Sequence, residues 1–267
     1  MTTDIIITGG MGKMGREIAL CVLDDKEFRL AGCVENASHP ALGKDYGTCI
    51  GRDPLGIPIS ASLLDLPVES SVVIDFSSPQ ATKAFLENVC KRKSRIVIGT
   101  TGIDPEGRDA IENASKTIPV VFSPNMSLGV NLLFVLTELA AKRLCGSFDI
   151  EIVEAHHRFK KDSPSGTAVR LGEIAASAMG LEYKDAIRNG RAGMVGARSN
   201  REIGMHSVRG GDIVGDHTVL FAGRGERLEL RHVANSRSTL ARGAVAAAKW
   251  LAPQKPGLYT MRDVLGL

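Results

Sequence analysis

Two regimes of apolar patterning divide this chain. Up to residue 126, short β-branched runs recur: Asp4–Thr8 (DIIIT), Phe28–Val34 (FRLAGCV), Val72–Phe76 (VVIDF), Arg95–Gly99 (RIVIG) and Pro119–Phe122 (PVVF). Runs of this kind, apolar at consecutive positions, predict parallel strands buried on both faces. Between them the apolar spacing turns helical. Ile18, Val22 and Leu23 share one face, Pro79 opens a helix that runs to about Lys91, and Asp104-Pro105 opens another with a cap followed by proline. Alternation of strand and helix predicts a parallel, doubly wound sheet. Residues 36–58 hold seven Gly and Pro residues and little periodicity, and read as a long irregular loop.

After residue 126 the pattern changes. Ser127–Leu144 predicts one long helix, with Leu128, Leu132, Val135, Leu139 and Leu144 apolar. Phe148–Val153 reads as a strand, and Ala168–Met179 as a helix with Leu171, Ile174, Ala175 and Ala178 at helical spacing. The polar, arginine-bearing stretch 182–201 reads as a flexible loop or lid. Three strand-like runs follow with no helix between them: 203–208, 217–221 and 228–233. That predicts a mixed or antiparallel sheet. An alanine-rich helix, Ser238–Leu251, and the segment 259–265 close the chain.

Composition narrows the function classes. The 267 residues are 43% hydrophobic and 24% charged, ordinary for a globular chain of one large or two modest domains. A net charge of +3 with one Trp, three Tyr and eight Phe offers neither a basic footprint nor a stacking platform, so no nucleic-acid partner is expected. The five cysteines are scattered, and Cys21, Cys33, Cys90 and Cys145 read as buried small hydrophobes rather than a disulfide or zinc set. No charged leader with an apolar core precedes the first strand, and no apolar run reaches spanning length. The expectation is a cytoplasmic chain with no membrane partner.

Chemistry enters at two places. The first is Gly9-Gly10-Met11-Gly12-Lys13-Met14-Gly15, directly after a strand and opening a helix, with Glu35 ending the next strand twenty residues after Gly15. Glycines there permit a tight turn and close approach of a pyrophosphate to backbone N–H groups, and the acid can accept from ribose hydroxyls. This is a dinucleotide-binding fingerprint. Gly99, Thr100 and Thr101, and Ser123, Pro124, Asn125 and Met126, also lie at strand carboxyl ends, where such sheets bind ligands. They are expected to face the cofactor.

The second place is residues 154–167, EAHHRFKKDSPSGT. Two histidines sit near the end of a strand, followed by cations and a Ser165-Gly166-Thr167 turn at a helix N-terminus. That terminus suits an anion. Histidine titrates nearest neutral pH and a nearby lysine can also donate, so the stretch joins proton donors to a seat for carboxylates. His206, His217 and His232 lie in strands and are expected to be structural or hydrogen-bonded within the sheet. His39 reads as solvated, and the six histidines show no metal-like spacing.

Taken together, GGMGKMGRE (9–17), DFSSP (75–79), GTTG (99–102), SPNMSLGVN (123–131), EAHHRFKKDSPSGTA (154–168), RGGDIVGDHTV (209–219) and GLYTMRDVLGL (257–267) resemble the 4-hydroxy-tetrahydrodipicolinate reductases, also called dihydrodipicolinate reductases, over essentially the whole chain. The resemblance implies an α/β fold, with a Rossmann-type doubly wound parallel sheet and a second α+β substrate and tetramerisation domain containing a mixed sheet. It implies a dinucleotide domain of residues 1–126 plus 237–267, a substrate and oligomerisation domain of 127–236, and a homotetramer. The implied reaction is reduction, by NADH or NADPH, of the cyclic dicarboxylate left when 4-hydroxy-tetrahydrodipicolinate loses water. The product is tetrahydrodipicolinate, on the diaminopimelate route to lysine.

Position by position, His156 then corresponds to the proton donor, Lys160 to the catalytic lysine, His157 to a substrate-binding neighbour, and Gly166 and Thr167 to the turn on a substrate carboxylate. Gly9, Gly10, Met11, Gly12, Lys13, Met14, Glu35, Gly99, Thr100, Thr101 and Ser123 to Met126 correspond to cofactor contacts. Departures from the pattern are Lys13 where many members have Arg, Asn36 where some place an Arg, Phe159 where some have a histidine, and Asp216 in place of the more usual Glu. A nucleotide-sensing regulator would suit the first domain equally well but has no need of the donor-and-anion stretch. A semialdehyde or sugar-type dehydrogenase would show a catalytic Cys in a strand-end turn or a Lys on a helix of the first domain.

Overall fold

Alternating isoleucines and valines dictate how the first unit is built. The computed structural model describes residues 2–66, 69–236 and 238–267. Its elements begin with β1 (Thr3–Thr8), α1 (Lys13–Leu23), β2 (Phe28–Val34), α2 (Tyr46–Cys49), β3 (Ile59–Ser60), β4 (Val72–Asp75), α3 (Pro79–Lys91), β5 (Arg95–Ile98), α4 (Pro105–Ser115) and β6 (Pro119–Phe122). After the second unit the chain adds α8 (Ser238–Leu251), β12 (Gly257–Tyr259) and α9 (Met261–Val264). The seven strands are all parallel, in the order β12-β6-β5-β4-β1-β2-β3. Because side chains alternate across a sheet, Ile5, Ile7, Val72, Ile74, Val97 and Val121 pack with Ile18, Val22, Ala244, Ala248 and Leu251 of α1 and α8. Ile6, Val73, Ile96, Ile98 and Val120 point the other way, onto Leu86, Val89 and Ile111 of α3 and α4. Strand order reverses between β1 and β4, which is where a ligand crevice opens in such sheets.

The second unit holds α5 (Leu128–Leu144), β7 (Asp149–His156), α6 (Gly166–Ala178), α7 (Tyr183–Ala186), β8 (Ile187–Asn189), β9 (Ile203–Arg209), β10 (Gly215–Ala222) and β11 (Arg227–Ala234). Its sheet runs β11-β10-β7-β9-β8, antiparallel through β10 and parallel from β7 to β8, so it is mixed. Ile150, Ile152, Ile203, Met205, Val219 and Phe221 form one face and pack on Leu171, Ala175 and Ala176 of α6. Backbone contacts divide the chain into Met1–Leu128 with Arg237–Leu267, and Gly129–Ser236. Position 237, where the sequence reading reopens the first domain, lies outside the described residues.

Several expectations change. Residues 36–58 are not featureless. They contain α2, and Tyr46 is fully buried. The Asp45 carboxylate accepts from the amides of Thr48, Leu55, Gly56 and Ile57, and these hydrogen bonds hold its pKa at about 2. Periodicity is blind to a loop organised by one acceptor.

The stretch 182–201 is not a plain loop either. Ile187 anchors β8 at the sheet edge, and two arginines farther along clamp onto acids of β7. Arg191 donates to both oxygens of Glu151 at 3.0 Å, while Arg198 reaches Glu151 and Asp149. His206 adds a 2.7 Å contact. Burial alone would raise the Glu151 pKa, but Arg191, His206 and Arg198 hold it at about 2.

Cys33 is fully buried and Cys21 and Cys90 are half-buried against the cores, but Cys145 is exposed. His39 is half-buried, its Nδ1 accepting from the Ala41 amide. The edge strands β3 and β12 are two and three residues long, too short to show a period.

Candidate active site

In the first unit the glycine turn is held from three sides. Gly9 has φ +68°, and a Cβ there would stand 2.5 Å from the Phe76 carbonyl oxygen; a Cβ on Gly15 would stand 2.3 Å from the Gly9 carbonyl oxygen. Only glycine fits either place. The Tyr46 hydroxyl lies 2.8 Å from the Gly10 carbonyl oxygen and 3.2 Å from that of Gly15. Glu35 accepts from the Met11 amide at 2.8 Å and from the Asn36 amide at 3.1 Å. Arg16 is spent on the carbonyls of Met11 and Cys49. The N-cap of α1 is Gly12, with no side-chain cap and no acid in the first turn. By contrast, Ser78, Asp104 and Ser165 cap α3, α4 and α6 with side chains. First-turn N–H groups of a helix need acceptors. A narrow glycine turn leading into such a terminus fits a dinucleotide pyrophosphate.

Next to that turn, Asp75 ends β4 fully buried. Its carboxylate accepts from Thr8 and Ser77 at 2.6 Å, from Thr82 at 2.5 Å and from Thr100 at 2.9 Å. These hydroxyls come from the end of β1, the β4–α3 turn, α3 and the loop after β5, so one carboxylate ties the strand ends together. Thr100 is therefore committed inward, while Thr101 is exposed. Ser123 and Asn125 brace their own turn: Ser123 Oγ donates to the Asn125 carbonyl at 2.8 Å, and Asn125 Oδ1 accepts from the Ser127 amide at 2.9 Å. The Met126 side chain goes into the core.

In the second unit β7 carries the donor stretch. Residues two apart on a strand share a face, so Glu154 and His156 point the same way. Glu154 Oε2 lies 2.6 Å from His156 Nδ1, and Glu154 Oε1 accepts from the Ser165 amide at 3.1 Å. Arg209, the β9 partner of His156, forks onto both oxygens at 2.8 Å. Such bidentate, charge-assisted pairs are short and directional. Burial alone would raise the Glu154 pKa; Arg209, His156 and Ser207 hold it at about 2. Burial pushes the His156 pKa below its ordinary value, with Glu154 opposing and Lys160 and Arg209 assisting.

Ser165 Oγ caps α6 through the Ala168 amide and lies 3.0 Å from His217 Nε2. The His217 and His156 rings meet edge to face, centroids 5.1 Å apart. Burial and His156 push the His217 pKa down to about 4, so it is a neutral partner within the sheet. Lys160 pairs with Asp162 at 2.9 Å, and its amide closes a turn onto His157. Gly166, first residue of α6, is exposed, and space is open where its Cβ would be. The donor stretch and the anion turn thus come together around Glu154, whereas Arg158, Phe159 and Lys161 are exposed.

Sequence reasoning passed over Glu154, Arg209, Asp75 and Tyr46 as functional supports. The period-2 relation of Glu154 to His156 was a usable signal, as was an acid ending an apolar strand at Asp75. Nothing local marks Tyr46 or Arg209, whose partners are 31 to 55 positions away. Among the described residues no three His, Cys, Asp or Glu side chains gather as a metal-holding set, and no helix is long and apolar enough to cross a membrane.

Residues 3–126 match the family model of the dihydrodipicolinate reductase N-terminus, and residues 129–265 that of its C-terminus. A 4-hydroxy-tetrahydrodipicolinate reductase of Syntrophotalea carbinolica is 48% identical over 98% of each chain. One of Chromobacterium violaceum is 47% identical over the full length of both. Among solved structures, the dipicolinate-bound dihydrodipicolinate reductase of Paenisporosarcina sp. TG-14 superposes with a TM-score of 0.79 at 23% identity, over 98% of this chain and 99% of that one. The amine dehydrogenase of Mycobacterium smegmatis shares the fold more loosely, with a TM-score of 0.64 at 13% identity over 97% of this chain and 95% of that one.

Proposed function

This chain belongs to the dihydrodipicolinate reductase family, and from that premise we propose that it uses NADH or NADPH to reduce the dehydrated form of 4-hydroxy-tetrahydrodipicolinate to tetrahydrodipicolinate. The full-length match to both halves of the family carries this reading. The Glu154–His156 pair beside the capped start of α6 supports it, because the reaction needs a proton donor next to a carboxylate seat.

The dinucleotide is held by the first unit: the Gly9–Met14 turn seats the pyrophosphate at the first-turn amides of α1, and Glu35 takes the adenosine ribose. Gly99 to Thr101 and Ser123 to Met126 line the same strand ends. When bound, the reduced nicotinamide supplies the hydride. In the second unit Gly166 and Thr167, at the N-terminus of α6, receive one ring carboxylate, since amides and the helix dipole there favour negative charge. His157 and Lys160 bind the substrate on the same stretch. Hydride addition to a conjugated imine leaves electron density on the ring that a proton must quench. His156 delivers it from Nε2, and Lys160 supports the proton transfer as a second donor.

The face of the mixed sheet opposite Glu154 carries Val153, Val208 and Val233, all more than a third exposed. Symmetric association covers such a face, and the assembly is a homotetramer in the cytoplasm. Loss of nicotinamide absorbance when the hydroxylated precursor is generated in the cuvette tests the function. No loss with either cofactor, in a chain that still binds NADH, would favour a nucleotide sensor instead.

A further inference from the structure

Which atom of His156 carries its proton follows from what surrounds Glu154; the consequence for turnover rests on the reading of His156 as the acid. Glu154 is completely buried, and both its oxygens are engaged. Arg209 reaches each at 2.8 Å, the Ser165 amide reaches Oε1 at 3.1 Å, and His156 Nδ1 stands 2.6 Å from Oε2. A carboxylate held ionised by a guanidinium fork only accepts hydrogen bonds. The proton in the 2.6 Å contact therefore belongs to Nδ1. A neutral imidazole has one proton, so the other nitrogen, Nε2, then bears a lone pair and cannot donate. The Nε2 edge is kept narrow but open by Gly215, the first residue of β10; a Cβ there would stand 3.0 Å from Nε2.

We infer that Glu154 is a positioning residue that pins the proton of neutral His156 on Nδ1, so that His156 acts as an acid only from its doubly protonated form, donating from Nε2. The step balances. A proton from solvent adds to the Nε2 lone pair, and the Nε2–H bond then breaks as that proton passes to the electron-rich ring atom of the substrate. The electron pair stays on Nε2, and the ring returns to the neutral form with its proton still on Nδ1. Every charged or titratable group facing His156 bears on how easily the second proton arrives. Glu154 on β7 favours it. Arg209 on β9 and Lys160 on the following loop disfavour it, while His217 on β10, edge to face with the ring, is itself neutral. Burial disfavours it too, so the Glu154 charge is the one element that keeps the acid form within reach.

Two measurements test this. The first is long-range ¹H–¹⁵N NMR of the full-length chain with labelled histidine, the His156 signals being identified by their loss in His156→Asn. Near neutral pH the expected pattern is a protonated Nδ1 and an unprotonated Nε2; a protonated Nε2 in the neutral ring overturns the proposal. This reading needs no substrate and no variant of Glu154, so it stands whether or not the chain turns over the proposed dicarboxylate. The second is the pH profile of kcat/KM in Glu154→Gln. Removing the carboxylate charge removes the favourable partner of the imidazolium, so the limb on which rate falls with rising pH should move to lower pH by about one unit or more. Turnover at neutral pH should drop by at least about tenfold, because orienting carboxylates of acid–base histidines are worth up to ~10⁴. A limb in the same place as in the parent chain overturns the proposal, since a purely structural Glu154 would alter stability without moving it.

Discussion

Asp75 in the first unit and Glu154 in the second are both completely buried carboxylates, each on the middle strand of its sheet and at or near its carboxyl end. Their surroundings are opposite in kind. Asp75 is satisfied by the hydroxyls of Thr8, Ser77, Thr82 and Thr100. Glu154 is satisfied by a guanidinium fork, an imidazole and a backbone amide. Neutral donors suffice where the task is to draw loops together and nothing changes charge. In the mechanism proposed above the neighbouring ring gains and loses a proton, and there a cation keeps the carboxylate ionised throughout. One centre shapes a binding edge; the other sets an electrostatic condition.

The largest expected effect separates the two by function. His156→Ala should lower turnover by about 10²–10⁴-fold, the usual worth of a positioned general acid, with the Kd for NADH unchanged by fluorescence titration. Near-normal turnover would move the donor role to Lys160 or to water. Stability should separate them next. Arg209→Met strands a buried carboxylate and should cost about 3–5 kcal/mol in urea unfolding. Thr82→Val removes one neutral donor of four at Asp75 and should cost about 1–3 kcal/mol. Equal costs would erase the distinction drawn above.

Ligand binding sharpens it further. Thr167→Val and Lys160→Ala should each weaken inhibition by pyridine-2,6-dicarboxylate by about 1.5–3 kcal/mol, and unchanged inhibition constants in both would remove the carboxylate site from the start of α6. Acid should act on the second unit through His217. Its pKa is about 4 when folded and near 6.5 when unfolded, so below about 6.5 the unfolded chain binds a proton that the folded one refuses. Stability from this group is thus full above that pH and is lost as pH falls towards 4, at up to about 1.4 kcal/mol per unit. Glu154 and Glu151, both depressed to about 2, lose theirs lower still, from about 4.5 down. Hydrogen exchange at pH 7 and pH 5 should show β7 and β10 losing protection, and a His217→Asn chain should lack the first part of that loss.

The smallest effect concerns cofactor choice. Glu35 would repel a 2′-phosphate, and Arg16 is occupied by two carbonyls. NADH should therefore serve at least as well as NADPH. A tenfold preference for NADPH in kcat/KM, about 1.4 kcal/mol, would mean that Lys13 or Lys44 reaches the phosphate.

How much of this was readable in advance depends on the range of each interaction. The strands β1, β2, β4, β5 and β6, the proline-started helices α3 and α4, the glycine turn with Glu35, and the donor stretch with its Ser165 cap all follow from patterns within about twenty residues. Backbone geometry and burial repeat on that scale, so the sequence by itself determined them. Tertiary structure alone decided the rest. The edge strands β3 and β12 are too short to carry a period. The arginines at 191 and 198 read as part of a flexible loop or lid until the fold set them against Glu151. Tyr46 became a strut of the glycine turn, and Arg209 the partner of Glu154, only once strands far apart in the chain were paired. A buried charge is tolerated only where partners converge from several elements, and no local pattern records that convergence.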